Sequence, residues 1–164
     1  MDGTLATRFT PAMDIKKILV PVDFSDGSRP AVANAFSLAE KLGASVTLLH
    51  VVDYPPPYSQ VEALTMVAPS EGEVTFDAFM KKRARQDMHA FIQDYAKGTF
   101  DTEFHSGSAA EGICEAAKEG GFELIVMGTH GRTGLSRLMI GSVAERTIRS
   151  APCPVLTIPP QRDA

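Results

Sequence analysis

The chain has 164 residues, enough for one domain with a proper core and too few for two comfortable ones. Its 44% hydrophobic and 22% charged residues are ordinary for a globular protein and exclude wholesale disorder. A net charge of -4 and a pI near 5.5 give no basic field for a nucleic-acid backbone, which argues against nonspecific DNA or RNA binding.

Two cysteines, Cys114 in a predicted helix and Cys153 between two prolines, form neither a disulfide framework nor a CxxC spacing. They read as free thiols in a reducing compartment. No apolar run approaches a membrane span, and the first residues lack the basic and apolar regions of a signal peptide, so a cytoplasmic location is expected.

Residues 1–13 mix Gly, Thr, Arg and Pro without periodicity and are expected to be a flexible tail ahead of a single domain over 14–160. Ile18 to Val22 reads as the first strand. Its exit, Asp23-Phe24-Ser25-Asp26-Gly27-Ser28, sets a carboxylate and hydroxyls at a strand's carboxyl end, where open α/β sheets bind ligands. Asp23 is a candidate for a ribose hydroxyl or a phosphate-bound metal; Asp23, Ser25 and Ser28 equally suit a turn and a helix cap. The next helix carries Ala31, Ala35, Leu38, Ala39 and Leu42 on one face and stops at Gly43. Val46 to Val52 reads as a second buried strand, with His50 a structural histidine inside it.

Asp53 to Gly72, with Pro55-Pro56-Pro57, has no regular pattern and is expected to be a long loop. A long helix follows to about Lys97, with Met80, Ala84, Met88, Phe91, Ile92 and Tyr95 at helical spacing and Gly98 as its stop; Lys81, Lys82, Arg83 and Arg85 form its solvated face. Phe100 to His105 is a third strand, and Ser108 with Glu111 predicts a capping box for a helix to Gly120. Gly107-x4-Gly112 is half a Walker loop, but Ile113-Cys114 stand where Lys and Ser or Thr are required.

Leu124 to Met127 lacks polar alternation, as in a parallel strand buried on both faces. Glycines at 128, 131 and 134 follow, and Ser142 with Glu145 predicts a capping box and a helix start. A helix N-terminus has unpaired N–H groups and a partial positive charge that favour phosphate. Ser142 adds a hydroxyl and Arg132 a permanent cation, so the loop between them is a candidate phosphate cradle. The last helix places Ile140, Ala144 and Ile148 on one face, and Val155 to Ile158 is a short final strand at a sheet edge.

The spacing Gly128-x2-Gly131-x9-Gly141-Ser142 resembles the ATP-binding loop of the universal stress protein family. Lys17-Ile18-Leu19-Val20-Pro21-Val22-Asp23-Phe24-Ser25 resembles the family's opening, and Arg149-Ser150-Ala151-Pro152-Cys153-Pro154-Val155-Leu156 its ending. The resemblance implies an α/β three-layer sandwich with a five-stranded parallel sheet of order 3-2-1-4-5, of the adenine nucleotide alpha hydrolase-like kind. It implies ATP or ADP with Mg²⁺ as ligand and contacts from Pro21, Asp23, Val51, Met127, Gly128, Gly131, Arg132, Gly141, Ser142 and Val143. Val51 would meet the base and Asp23 the ribose or, through phosphate, the magnesium. It also implies a regulatory or sensor role and a homodimer joined through Val155 to Ile158.

The residues name no catalyst; slow ATP hydrolysis stays open, with His130 the one candidate base. An ATP pyrophosphatase would need a Ser-Gly-Gly-x-Asp-Ser loop where Asp23 to Ser28 stand. A receiver domain would need an aspartate and a lysine where His105-Ser106 and Pro159-Pro160 stand. A dimeric interaction module without nucleotide is the remaining alternative.

Overall fold

The computed structural model describes residues 14–52, 65–68, 72–93, 99–129 and 140–160, with backbone alone for 65–68. The expected tail over 1–13 lies outside the described residues.

Among the described residues, five strands form one parallel sheet: β1 Lys17–Pro21, β2 Ser45–Val52, β5 Phe100–Ser106, β6 Leu124–Gly128 and β7 Val155–Ile158. Their order is β5-β2-β1-β6-β7, which is 3-2-1-4-5 when the strands of this sheet alone are counted along the chain. The predicted order therefore holds. Helices α1 Arg29–Leu42 and α2 Phe76–Ile92 pack on one face, and α3 Ala109–Glu119 and α4 Ser142–Ser150 on the other.

Successive strand residues point to opposite faces, and both faces are apolar here. Ile18, Val20, Val46, Leu48 and Val126 pack with Ala31, Val32, Ala35, Met88 and Phe91. Leu19, Leu49, Ile125 and Met127 pack with Ile113, Ala116, Ala117 and Ala144. At about 1.5–3 kcal/mol for each large side chain taken out of water, these two clusters hold the helices against the sheet.

Several expectations are corrected. The stretch from Asp53 to Gly72 is not all loop: β3 Thr65–Ala68 pairs antiparallel with β4 Gly72–Thr75, a hairpin separate from the main sheet. α2 ends at Ile92 with Gln93 as C-cap, short of the predicted Lys97; residues 94–98, and Tyr95 with them, lie outside the described residues. Thr75 sets its start, since the Thr75 hydroxyl accepts a hydrogen bond from the Ala78 N–H at 3.1 Å. Leu42, placed on the apolar face of α1, is 36% exposed, and Gly43 behind it closes the helix at φ 63. In α4 the predicted face fails in part: Ile140 lies ahead of the helix and is exposed, Ile148 is 45% exposed, and Ala144 and Thr147 are the buried residues.

The basic run on α2 is only partly a solvated face. Lys81 Nζ lies 3.1 Å from the Asp77 carboxylate, which also accepts a hydrogen bond from the Ser106 hydroxyl and so ties α2 to the end of β5. Arg85 lies over the Phe104 ring at 5.3 Å.

Thr147 is fully buried, and its hydroxyl has no hydrogen-bond partner among the described residues. A buried unpaired hydroxyl costs about 1–3 kcal/mol, so Thr147→Val is expected to raise unfolding stability by about 1 kcal/mol and the thermal midpoint by about 2–4 °C. Urea and thermal denaturation measure this; a stability loss would reveal a partner for the hydroxyl.

Candidate functional site

β1 lies between β2 and β6, in register Leu19↔Thr47 and Leu19↔Ile125, so the carboxyl ends of all three strands open into one space. The first and fourth strands of the sheet run to helices on opposite faces, and such a switch point leaves a crevice. A cavity of about 520 Å³ occupies it.

Pro21 and Asp23 line this cavity from the end of β1, Val51 from β2, and Met127 and Gly128 from β6. Gly141, Ser142 and Val143 line it from the start of α4. Of the residues predicted from sequence, Gly131 and Arg132 lie outside the described residues, as does His130.

The start of α4 is held by main chain. The Gly141 N–H donates to the Thr129 carbonyl at 2.8 Å, and the Thr129 N–H donates to the Ile158 carbonyl at 3.1 Å. The predicted capping box is corrected here: Gly141, extended at φ -62 and ψ 150, is the N-cap, and Ser142 is the first helical residue. The N-cap of α4 is a glycine, so the cap position itself makes no side-chain bond to the first turn. The N–H groups of Ser142, Val143 and Ala144 have no intrahelical acceptor, and all three residues line the cavity. Glu145 is turned to Arg149, whose Nη2 donates to Oε1 at 2.8 Å, so its charge is paired along the helix. The N-terminus of α4 thus offers main-chain donors and a positive dipole end to an anion. Ser108 is likewise the N-cap of α3 without a side-chain cap bond, contrary to the predicted box.

Asp23 folds its own loop. Its Oδ1 accepts from the Ser25 N–H at 3.0 Å, the Ser25 hydroxyl at 2.6 Å and the Ser28 hydroxyl at 2.5 Å. The turn reading of these residues and the site reading therefore coexist, since Asp23 also lines the cavity. Phe24 completes the turn in the left-handed region at φ 63, which costs a residue with a Cβ about 1–2 kcal/mol. Its ring stacks on His50 at 4.2 Å and meets Phe91 edge-on at 5.9 Å, contacts that hold the strained backbone. His50 Nδ1 donates to the Val22 carbonyl at 2.8 Å, a structural role as expected.

One wall was not foreseen. Met80, Arg83, Ala84 and Asp87 of α2 line the cavity, with Arg83 Nε 3.8 Å from Asp87 Oδ2 in a largely exposed pair. Exposed pairs of this kind are loosely held. Their spacing along one helix stripe is legible in the sequence, but not that this stripe faces a sheet end.

Neither cysteine lines the cavity, and both are free. Burial pushes both thiols above their ordinary value, so neither is a ready nucleophile. Among the described residues no three His, Cys, Asp or Glu side chains converge on a metal position, and no helix is long and apolar enough to cross a membrane.

Comparison with known proteins gives one family. A model described as the universal stress protein family matches residues 14–159. The universal stress protein MJ0531 of Methanocaldococcus jannaschii is 36% identical over 146 residues, covering 87% of this chain and 81% of that protein. The solved structure of the hypothetical protein MJ0577, from the same organism, superposes with a TM-score of 0.73 at 27% identity, covering 93% of this chain and 100% of that one. A universal stress protein solved in complex with cAMP superposes at 0.55 with 19% identity, covering 88% of this chain and 96% of that one, a likeness of fold alone.

Because Asp23 accepts three hydrogen bonds within its loop, Asp23→Ala is expected to lower the stability of the ligand-free protein by about 1–3 kcal/mol. Urea denaturation without nucleotide measures it, and unchanged stability would show that the loop does not need the carboxylate.

Proposed function

This chain belongs to the universal stress protein family, and from that premise we propose that its cavity binds an adenine nucleotide, ATP or ADP with magnesium, as the signal of a regulatory or sensor module in the stress response. The observation that carries the reading is the meeting of Asp23, Val51, Gly128 and the Gly141–Val143 turn, remote in sequence, around one cavity of about 520 Å³. In this reading the N–H groups of Ser142, Val143 and Ala144 and the Ser142 hydroxyl take phosphate oxygens. Gly128 and Gly141 permit close approach of the backbone, and Gly131 and Arg132 are assigned to the same phosphates. Pro21 and Met127 flank the nucleotide, Asp23 faces the ribose, and Val51 meets the base.

The donor set fits such a ligand, since main-chain amides at a helix start bind anions without side-chain charge. Magnesium needs few protein ligands when phosphates bind it, and Asp23 is the residue assigned to reach it. No catalytic residue is assigned. The same reading takes the protein to be cytoplasmic, and two free cysteines are consistent with a reducing compartment.

Gly141 has a backbone conformation open to any residue, at φ -62 and ψ 150, so Gly141→Val tests the cradle without straining the chain. Calorimetric titration with ATP and Mg²⁺ is expected to give saturable binding to the natural protein and at least about tenfold weaker binding to the variant, with the ligand-free thermal midpoint lowered by a few degrees at most, since valine caps a helix less well than glycine. Equal affinities would reject the cradle. Absence of ATP binding to the natural protein would leave a nucleotide-free interaction module, and phosphate release followed alongside separates a binder from a slow ATPase.

The same reading includes a homodimer. Among the described residues β7 pairs with β6 alone, and Leu156 on it is 40% exposed, so we assign the other edge to a second copy. Leu156→Lys is expected to convert the dimer to monomer in sedimentation velocity; a monomeric natural protein, or a dimer indifferent to the change, would reject this edge.

A further inference from the structure

Helix α3 carries a glycine in its interior, where alanine would favour the helix by about 1 kcal/mol. Gly112 has negative φ, so neither a turn nor a cap requires it. Packing does. Gly112 is buried, and a Cβ built on it would stand 3.1 Å from Cγ1 and 3.2 Å from Cγ2 of Val51. Contacts that short force the neighbour to give by a few tenths of an ångström.

Val51 is half-buried, with its remaining exposure on the cavity it lines. Ala109 and Ile113 of α3 line the cavity beside it, and Val52, Met80 and Ala84 line it from β2 and α2. These six side chains are apolar. The main-chain N–H groups without an intrahelical acceptor, by contrast, come from α4 beside β6. The cavity therefore has an apolar patch, made by these six side chains and bordered by His50, Arg83 and Asp87, apart from the helix start that would take an anion.

We propose that Gly112 is a specificity-determining position: by letting α3 lie against Val51, it sets the width of an apolar slot that takes the flat ring of the ligand. The inference rests on the nucleotide reading and adds to it a residue that touches no ligand, a positioning residue acting through Val51. A methyl group at 112 drives Val51 into the slot and crowds the ring while leaving the phosphate end alone.

The test is a double-mutant cycle of Gly112→Ala and Val51→Ala, titrated with ATP and with inorganic tripolyphosphate, which carries the phosphates without the ring. Gly112→Ala is expected to weaken ATP about tenfold and to leave tripolyphosphate unchanged. In the Val51→Ala background the same change is expected to cost nothing, because the two methyl groups it meets are gone. The ligand-free thermal midpoint of Gly112→Ala is expected to hold or rise. Unchanged ATP affinity in Gly112→Ala, an equal loss for both ligands, or an undiminished loss in the Val51→Ala background would each overturn the proposal. Failure of the natural protein to bind ATP is a separate result, and it overturns the nucleotide reading together with this one.

Discussion

The hydrogen-bonded position of β1 between β2 and β6 is the constraint on which the rest of the structure depends. It brings the end of the first strand beside the end of the fourth strand of the sheet, and the site exists only because those ends are neighbours. Two main-chain bonds extend that constraint into the loops. Thr129 is tied to Ile158 by its N–H and to Gly141 by its carbonyl, so the first turn of α4 is fixed to the sheet however the chain runs between 129 and 141. A helix start positioned in this way needs no particular side chain to hold it, and its main-chain donors would be available to an anion.

The two faces of the sheet contribute differently to the cavity. On the α3 and α4 side, Leu19, Leu49, Ile125 and Met127 hold both helices so that their N-termini flank the strand ends. On the other side, α2 reaches past the strand ends and covers the cavity with its own stripe. Its first turn is fixed by the Thr75 cap and by the Asp77 carboxylate, shared between Lys81 and Ser106. Met88, Phe91 and Ile92 are buried further along, while Arg83 and Asp87 stay largely exposed at the cavity. One helix thus joins a rigid core face to an adaptable polar rim.

The main sheet was legible because its inner strands are apolar without alternation, and Ile18 to Val20, Val46 to Leu49 and Leu124 to Met127 admit few other readings. Gly128, Gly141 and the strand-end Asp23, named from the sequence, line one cavity, while Gly131 lies outside the described residues. What escaped the sequence follows from physics that composition does not carry. β3 and β4 are four-residue strands, and Gly72, Glu73 and Thr75 of β4 are exposed, so no apolar run marks that strand. A serine three residues before a glutamate predicts a cap, yet the cap position depends on where extended backbone turns helical, and Gly141 takes it. Phe24 is not a residue type that favours positive φ; its conformation is imposed by the stack on His50 and the edge contact with Phe91, both tertiary. α2 shows its apolar stripe in sequence, but a stripe cannot say whether it meets a sheet or a void.

What escaped the sequence is local geometry, a hairpin, a cap position and one residue's φ, whereas the sheet and its order were read correctly. Asp23 is the most chemically suggestive residue at the strand end, yet its Oδ1 is occupied by Ser25 and Ser28, so much of its effect on any ligand passes through the shape of its loop. Loss of binding on changing Asp23 is therefore ambiguous between a lost contact and a rearranged turn. The helix start at Gly141 has no such ambiguity, because its donors belong to the backbone and its extended cap suits any residue. Under the nucleotide proposal, choice among ligands falls to the apolar side chains of β2, α2 and α3, Val51, Met80, Ala84 and Ile113 among them. There the side chains are free of loop-folding duties, and a change of one methyl group alters the fit.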